Sequence, residues 1–399
     1  MSSESPFFLS KIECPICKTV NEFETVRVGA YYEDGRDTDF CPTSIRWRYP
    51  RYDGYNPLVF FTATCGNCYY TREFTKSFKE WKSDNNFRTY RLKSVKEKHL
   101  DQLAVADSIV KKMGESIDVS RHPNESAIIK LNLAIFDELL CEHPSDLDLG
   151  RFYLRLAWIF RDQEKGENPG LRFLRGLMLE VDNRFQTFRE RFESARQELA
   201  AFARHLSSHF ESNELSSEVK ARMGPFKDKL MEQVQSLAGE ADGSSQRLQT
   251  LVELMEEYKA VAMGDEVGGE AAAYGQWSSF GEFLMSLKRG WEGIVTNERE
   301  ALEKAIHYYK RAFSSGRDIS PGNQQIQASY LIAELSRRIG EHDDARQYFN
   351  STIKHGQEFI YQNRKDPSRT ALARKILELA IEQGRANMEA LKSSQASKD

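Results

Sequence analysis

Residues 153–160 read Tyr-Leu-Arg-Leu-Ala-Trp-Ile-Phe. At helical spacing Tyr153, Leu156, Ala157 and Phe160 share one face: two aromatics bracket a leucine and a small residue. Such a face admits a second helix at close range over the alanine, while the aromatics fill the sides of the contact. A matching second helix does not follow. Its pattern appears much later, at Ala305, Tyr309 and Ala312. The spacing therefore predicts that helix 150–163 pairs with helix 298–313, with the residues between them inserted into the turn, where added length costs little.

A complete copy of the pattern lies further on, at Ile332-Ala333, Ser336, Gly340, Ala345 and Phe349. It resembles the tetratricopeptide repeat, with Ser336 in a slot that usually holds tyrosine. Ala333 and Ala345 allow the helices to approach; Ile332 and Phe349 fill the seam. The expected fold is mainly α, with TPR-like α–α repeats over 94–163 and 297–392. In such repeats the packing residues carry no chemistry, and the concave face is the functional surface. Towards the N-terminus, Val95–Met113 should form a helix ending at Gly114, followed by helices over 125–140 and 149–163.

The insert, 164–296, reads as a helical coiled-coil arm. Val181, Phe185, Phe188, Phe192, Ala195, Leu199, Phe202 and Leu206 alternate in steps of four and three, a heptad seam. Met223, Phe226, Leu230, Val234 and Leu237 make a shorter seam. Leu248, Leu251, Met255, Tyr258 and Ala262 make a third. Breaks are expected at 239–245 (GEADGSS) and 264–269 (GDEVGG). A seam this rich in phenylalanine, Phe210 included, must be covered by the chain's own later helices, by a second copy or by a partner. The tail, 393–399, should be disordered.

Residues 1–90 differ. They are rich in aromatic and β-branched residues, with strands expected around Val26, Val28 and Tyr31 and over Leu58–Thr64. Four of the six cysteines form two CxxC pairs, Cys14/Cys17 and Cys65/Cys68. Two such turns brought together offer four thiolates in a closed tetrahedral shell, which suits structural Zn2+. A thioredoxin-like redox pair and an iron–sulfur cluster are the competing readings; the first normally needs a single CxxC in a βαβ context. This is a small zinc-ribbon-like β/loop domain. Cys41 reads as a free thiol or an alternative ligand, and Cys141 as a small core hydrophobe. Arg46, Trp47, Arg48 and Arg51 interleave charge with aromatics and could contact nucleic acid; the plainer reading is a packed loop.

With 56 basic and 60 acidic residues the formal net charge is −4, which gives no overall drive toward nucleic acid or an anionic membrane. No apolar run is long enough to span a bilayer, and Met1–Lys11 lack a signal-peptide pattern, so the cytoplasm is expected. None of the familiar phosphate-binding, nucleophile-elbow, zincin or dinucleotide motifs occurs. His205 and His209 are four apart on the arm and read as solvated surface.

The order Cys14–Cys17, Asp37-Thr-Asp-Phe-Cys-Pro42, Asn56-Pro-Leu58, Cys65–Cys68, Leu154–Trp158 and Tyr330–Leu335 is similar to a bacterial family known as domain of unknown function 2225. The resemblance covers roughly 5–163 and 297–380; the insert and the Arg46–Tyr52 loop depart from it. It implies architecture rather than activity. The expected function is a non-enzymatic scaffold that binds a protein partner through the repeat groove or the arm, with a homodimer as one outcome. The alternative is a nucleic-acid-binding zinc-ribbon protein with a helical regulatory domain.

Overall fold

Three short antiparallel hairpins open the chain, and each carries its chemistry in its turn. Strands β1 (Phe7–Glu13) and β2 (Val20–Val26) pair from Phe7↔Val26 to Glu13↔Val20, closed by Cys14–Cys17. Strands β3 (Tyr31–Arg36) and β4 (Pro42–Trp47) are closed by the loop from Asp37 to Cys41. Strands β5 (Thr62–Thr64) and β6 (Thr71–Glu73) are closed by Cys65–Cys68. Val28 is fully exposed between β2 and β3 rather than in a strand. The strand expected over Leu58–Thr64 is shorter: Pro57 starts a 3-10 turn capped by the Asn56 side chain, and extension begins only at Thr62. The computed structural model describes residues 5–74, 78–165, 169–211, 216–263, 277 and 279–396.

Two-stranded hairpins are marginal in water. Here their inner faces enter a core that helices complete. Cys14, Ile16, Cys65, Cys68, Tyr70, Phe74, Phe78, Trp81 and Phe87 share one cluster with Val95 and Cys141. The Trp81 indole fixes the end of β1 by donating to the Glu13 carbonyl at 2.8 Å. Helices α1 (Leu92–Ala104), α2 (Ile109–Glu115) and α3 (Pro123–Leu139) follow. The single helix expected over Val95–Met113 is thus broken. Ser108 caps α2, and Gly114 lies within α2 because the Tyr69 ring occupies the space a Cβ would need.

Helix α4 (Asp146–Gln163) packs along α8 (Glu298–Ser315) despite their separation in sequence. Tyr153 stacks on Tyr308 with centroids 5.6 Å apart, and Gly150 admits the Tyr309 ring. Leu156, Ala157, Phe160, Ala305, Tyr309 and Ala312 are all buried. Helices α9 (Asn323–Ile339), α10 (His342–Gln362) and α11 (Pro367–Ala396) continue the hairpins. Gly340 turns α9 into α10 with φ +89°, a left-handed conformation that glycine adopts without strain. Ala333, Ala345 and Phe349 share one core cluster; Ile332 is buried outside it. The tail expected to be disordered from 393 continues α11 to Ala396; residues 397–399 lie outside the described ones.

The chain divides into two compact units, 1–165 with 286–399, and 166–285. The second holds α5 (Pro169–Glu211) and α6 (Ser217–Met263), an antiparallel pair. Arg196 meets Asp242 at 2.7 Å and Ser245 donates to Glu193 at 2.7 Å. Residues 239–245, expected as a break, lie inside α6, and so does Pro225; the two later seams belong to one helix. The break expected at 264–269, and the side chains of Met255, Tyr258 and Ala262, lie outside the described residues. Helix α7 (Phe280–Gly290) spans the return to the first unit. No described helix is long and apolar enough to cross a membrane.

Candidate metal centre and groove

The two CxxC turns are built alike. In each, the first cysteine's N–H donates five residues ahead, Cys14 to Thr19 and Cys65 to Tyr70. Its carbonyl accepts from four residues ahead, Lys18 and Tyr69. Those two residues hold φ of 66° and 63°, left-handed positions that cost a non-glycine residue stability. The strain is tolerated because the turn gathers both sulfurs on one side.

The four sulfurs lie within 4.8 Å of one another. Cys14 and Cys68 are 3.7 Å apart, Cys17 and Cys65 3.5 Å. These separations are far too long for disulfides and close to the edge of about 3.8 Å that a tetrahedron with bonds of about 2.3 Å requires. All four cysteines are free and all but Cys17 are buried. The donor set therefore fits a metal ion held entirely by this chain. The pairing also splits the thiols: hydrogen bonding from Cys14 pulls Cys65 far down, while pairing with Cys65 pushes Cys14 up to about 12. A cation held by Cys14, Cys17, Cys65 and Cys68 would take the place of thiol protons and favour the ionised form of all four.

A second layer supports the centre. His99, fully buried on α1, donates from Nε2 to the Cys68 carbonyl at 2.8 Å and from Nδ1 to Asp137 at 2.6 Å. The other Asp137 oxygen accepts the Thr71 N–H at 2.7 Å. Burial opposes charge on His99, but the Asp137 carboxylate outweighs it and raises its pKa. Burial raises the Asp137 carboxyl as well, so a proton is held within the pair, and the ring bolts one cysteine turn to α1 and α3. Asn21 bridges the turns, donating to Cys65 Sγ at 3.4 Å and accepting from Gly66 N at 2.9 Å. Nothing in the sequence marks His99 beyond its place on a helix face; pairing it with Asp137 requires the tertiary fold.

The β3–β4 turn is a different device. Asp39 is fully buried and accepts from Arg161 Nη2 at 2.7 Å, Trp158 Nε1 at 3.2 Å and Cys41 N at 3.2 Å. Asp37 pairs with Arg338 at 2.7 Å. The Tyr330 hydroxyl donates to the Thr38 carbonyl at 2.8 Å. The loop thus clamps the hairpin onto α4 and α9. Cys41 is buried there and is not one of the four clustered sulfurs, with burial pushing its thiol up to about 12. Cys141 takes a hydrogen bond from Arg91 at 3.0 Å.

The clamp leaves a groove of about 940 Å3 between the hairpin and helices α4, α8, α9 and α11. Leu154, Trp158, Leu331, Ile376 and Leu379 supply apolar walls; Arg36, Arg151, Arg155 and Lys375 supply positive charge. Arg36 is paired with Glu33, and Arg151 with Glu73 and Asp148. Arg155 and Lys375 form no ion pair among the described residues. Arg155 donates to the Arg151 carbonyl at 3.0 Å and lies 4.2 Å over the Phe61 ring; burial, then the neighbouring Arg151, lower its pKa.

The loop residues singled out for nucleic acid are engaged within the hairpin. Trp47 is core, packed among Phe7, Tyr31 and Tyr52. Arg46 pairs with Asp34, Arg48 with the Tyr32 hydroxyl, and Arg51 lies over the Tyr52 ring.

No curated protein and no solved structure matches the chain. A bacterial protein family does, over residues 7–241 and 285–373. That range includes α5 and the first part of α6, so the arm does not depart from the family as a whole; only 242–284 falls between the matched segments. The cysteine turns, the Asp37–Pro42 clamp and the paired helices α4 and α8 all lie inside it, and the chain belongs to the family described as "Uncharacterized protein conserved in bacteria (DUF2225)".

Proposed function

We propose that this chain is a non-enzymatic, zinc-stabilised scaffold whose tetratricopeptide-like hairpins grip an acidic segment of another protein in the groove. The observation that carries this reading is Arg155. Arg155 is partly buried and forms no ion pair among the described residues, because Glu73 and Asp148, the carboxylates that attract it, are paired with Arg151; a guanidinium so placed bears a desolvation cost that is only partly offset. Arg155 lies against Phe61 and Trp158 in a groove that also presents Lys375. A ligand carboxylate would supply the missing charge, and the leucine and isoleucine walls would seat an apolar neighbour. Zinc is favoured at the four sulfurs because soft ligands at tetrahedral spacing leave no open position. Its role is to hold the hairpins against α1 and α3, and a reducing compartment such as the cytoplasm keeps the thiolates available. The nucleic-acid alternative has less support, since Trp47 is core and its neighbouring arginines are engaged.

The test is selection of a random peptide library on the full-length protein. The expected result is a consensus that sets Asp or Glu beside bulky apolar residues and is lost with Arg155→Glu. A consensus without acids, or one indifferent to Arg155→Glu, overturns the reading.

A further inference from the structure

Helices α5 and α6 leave part of their own apolar surface uncovered. On α5 the stripe facing α6 is Met178, Phe185, Phe192, Leu199 and Leu206, one residue in seven, buried or partly buried. On α6 the facing stripe is Val234, Ala241 and Leu248, at the same interval. The contacts 193–245, 196–242 and 207–231 fix the antiparallel register.

A second apolar stripe runs beside the first on each helix. On α5 it holds Val181, Phe188 and Phe202, with Leu177 next to it; Phe188 is 54% and Phe202 49% exposed. On α6 it holds Met223, Leu237 and Leu251, flanked by Val219, Phe226 and Leu254; Phe226 is 65% exposed. In both helices this stripe follows the facing one by three residues, as in 185→188, 199→202, 234→237 and 248→251. Each is therefore rotated from the contact by about 60° in the same sense. Because the helices are antiparallel, equal rotations bring both stripes to the same side of the hairpin. The register sets Phe202 level with Leu237, and Phe188 level with Leu251. The result is one apolar face, narrowed at its middle where Ala195 lies level with Ser244.

We propose that this face is the dimer interface of the protein, where a second copy of the α5–α6 hairpin completes a four-helix bundle. The area favours a copy over an incidental patch. Ten half-exposed large side chains present on the order of 1,000 Å2, whereas a stable interface takes roughly 800 Å2 from each partner and a monomer seldom exposes more than about 600 Å2 in one patch. The shape favours it as well. The exposed stripes repeat every seven residues like the stripes within the hairpin, so a hairpin of the same pitch meshes along the full length. Both helices contribute to the face, four residues from α5 and six from α6, so one patch can meet its own copy across a twofold axis.

The experiment is sedimentation velocity of the full-length, metal-loaded protein over a concentration series. The expected result is a dimer at micromolar concentration. Phe188→Glu with Phe202→Glu should give a monomer that keeps its helical circular dichroism and its bound metal. If that variant misfolds, Phe226→Ser alone, in the first part of α6, should raise the dimer Kd at least tenfold. A wild-type protein that stays monomeric at ~100 µM overturns the proposal and gives the face to a different protein. A dimer untouched by either folded variant overturns it too, because the contact then lies elsewhere.

Discussion

The unit around the cysteine turns and the arm are both rich in buried-type residues, yet they use them in opposite ways. In the unit that holds the sulfurs and the clamp, the polar fasteners join residues far apart in sequence. His99 reaches Cys68 and Asp137, Trp81 reaches Glu13, and Arg161 reaches Asp39. In the arm the contacts are periodic and repetitive, and among the described residues of α5 and α6 only Met178 and Val234 are buried apolar side chains. One region is specified by a few polar fasteners; the other has a long apolar pattern and too little of its own chain to cover it.

Metal removal should separate the two most sharply. Structural zinc contributes about 10–16 kcal/mol of apparent binding free energy in small domains. Cys65→Ser should abolish stoichiometric metal and strip hydrogen-exchange protection from β1, β2, β5 and β6. Because Val95 and Cys141 share that core, α1 and the end of α3 should lose protection too. The amides of α5 and α6 should exchange as in the wild type. Uniform loss across the chain would mean that the arm depends on the metal centre.

Cutting the clamp comes next. Arg161→Met leaves Asp39 buried without its main partner and should cost about 3–5 kcal/mol in urea unfolding. The pair itself need not be a net stabiliser; the penalty comes from orphaning one charge. A loss below about 1 kcal/mol would show that water reaches Asp39 and that the loop is not clamped.

Core truncation measures the contrast directly. Phe349→Ala, in a fully enclosed position between Ala333, Ala345 and Ala380, should cost about 3–5 kcal/mol. Phe188→Ala, at half exposure and measured under conditions where the chain is monomeric, should cost under about 1 kcal/mol. Equal losses would show that the second stripe is already covered within one chain.

The same contrast governs what could be read in advance. Periodicity marked α4, α8, α9 and α10, and the doubled CxxC marked the four sulfurs, because each signal is local and repeats. The pairing of α4 with α8 was legible since the two half-patterns complete each other. Periodicity misled where a single polar residue overrides it. Ser108 splits the predicted 95–113 helix by capping a second one, and Pro57 with Asn56 turns a predicted strand into a 3-10 turn. The glycines at 239 and 243 suggested a break, yet they meet no neighbour and the surrounding helix formers carry α6 through. His99 and Arg155 gave no readable signal, and Asp39 was marked only as part of the Asp37–Pro42 stretch, for their meaning lies in partners tens to hundreds of residues away.

A pH-dependent effect comes from Lys130, a lone cation on α3 whose ammonium donates to the Val59 carbonyl next to β5. Burial pulls its pKa down to about 8, and attraction to Glu24 offsets this only in part. In the unfolded chain the same group titrates near 10.5. Below pH 8 both states carry the proton, and the folded state bears the cost of holding a charge away from water. Between pH 8 and 10.5 the unfolded chain still binds the proton and the folded chain has released it, so stability rises with pH across that window. Lys130→Met removes the titration and also the hydrogen bond to Val59, a loss that does not depend on pH. The difference in unfolding free energy between Lys130→Met and wild type should therefore move steadily in favour of the wild type from pH 8 to 10.5 and stay flat from pH 6 to 7.5. Thiols and tyrosines that titrate in the same range are common to both proteins and cancel in the difference. A difference flat through pH 10.5 would show Lys130 to be solvated, and the junction between α3 and the Pro57–Phe60 turn to be looser than the packing around Val59 indicates.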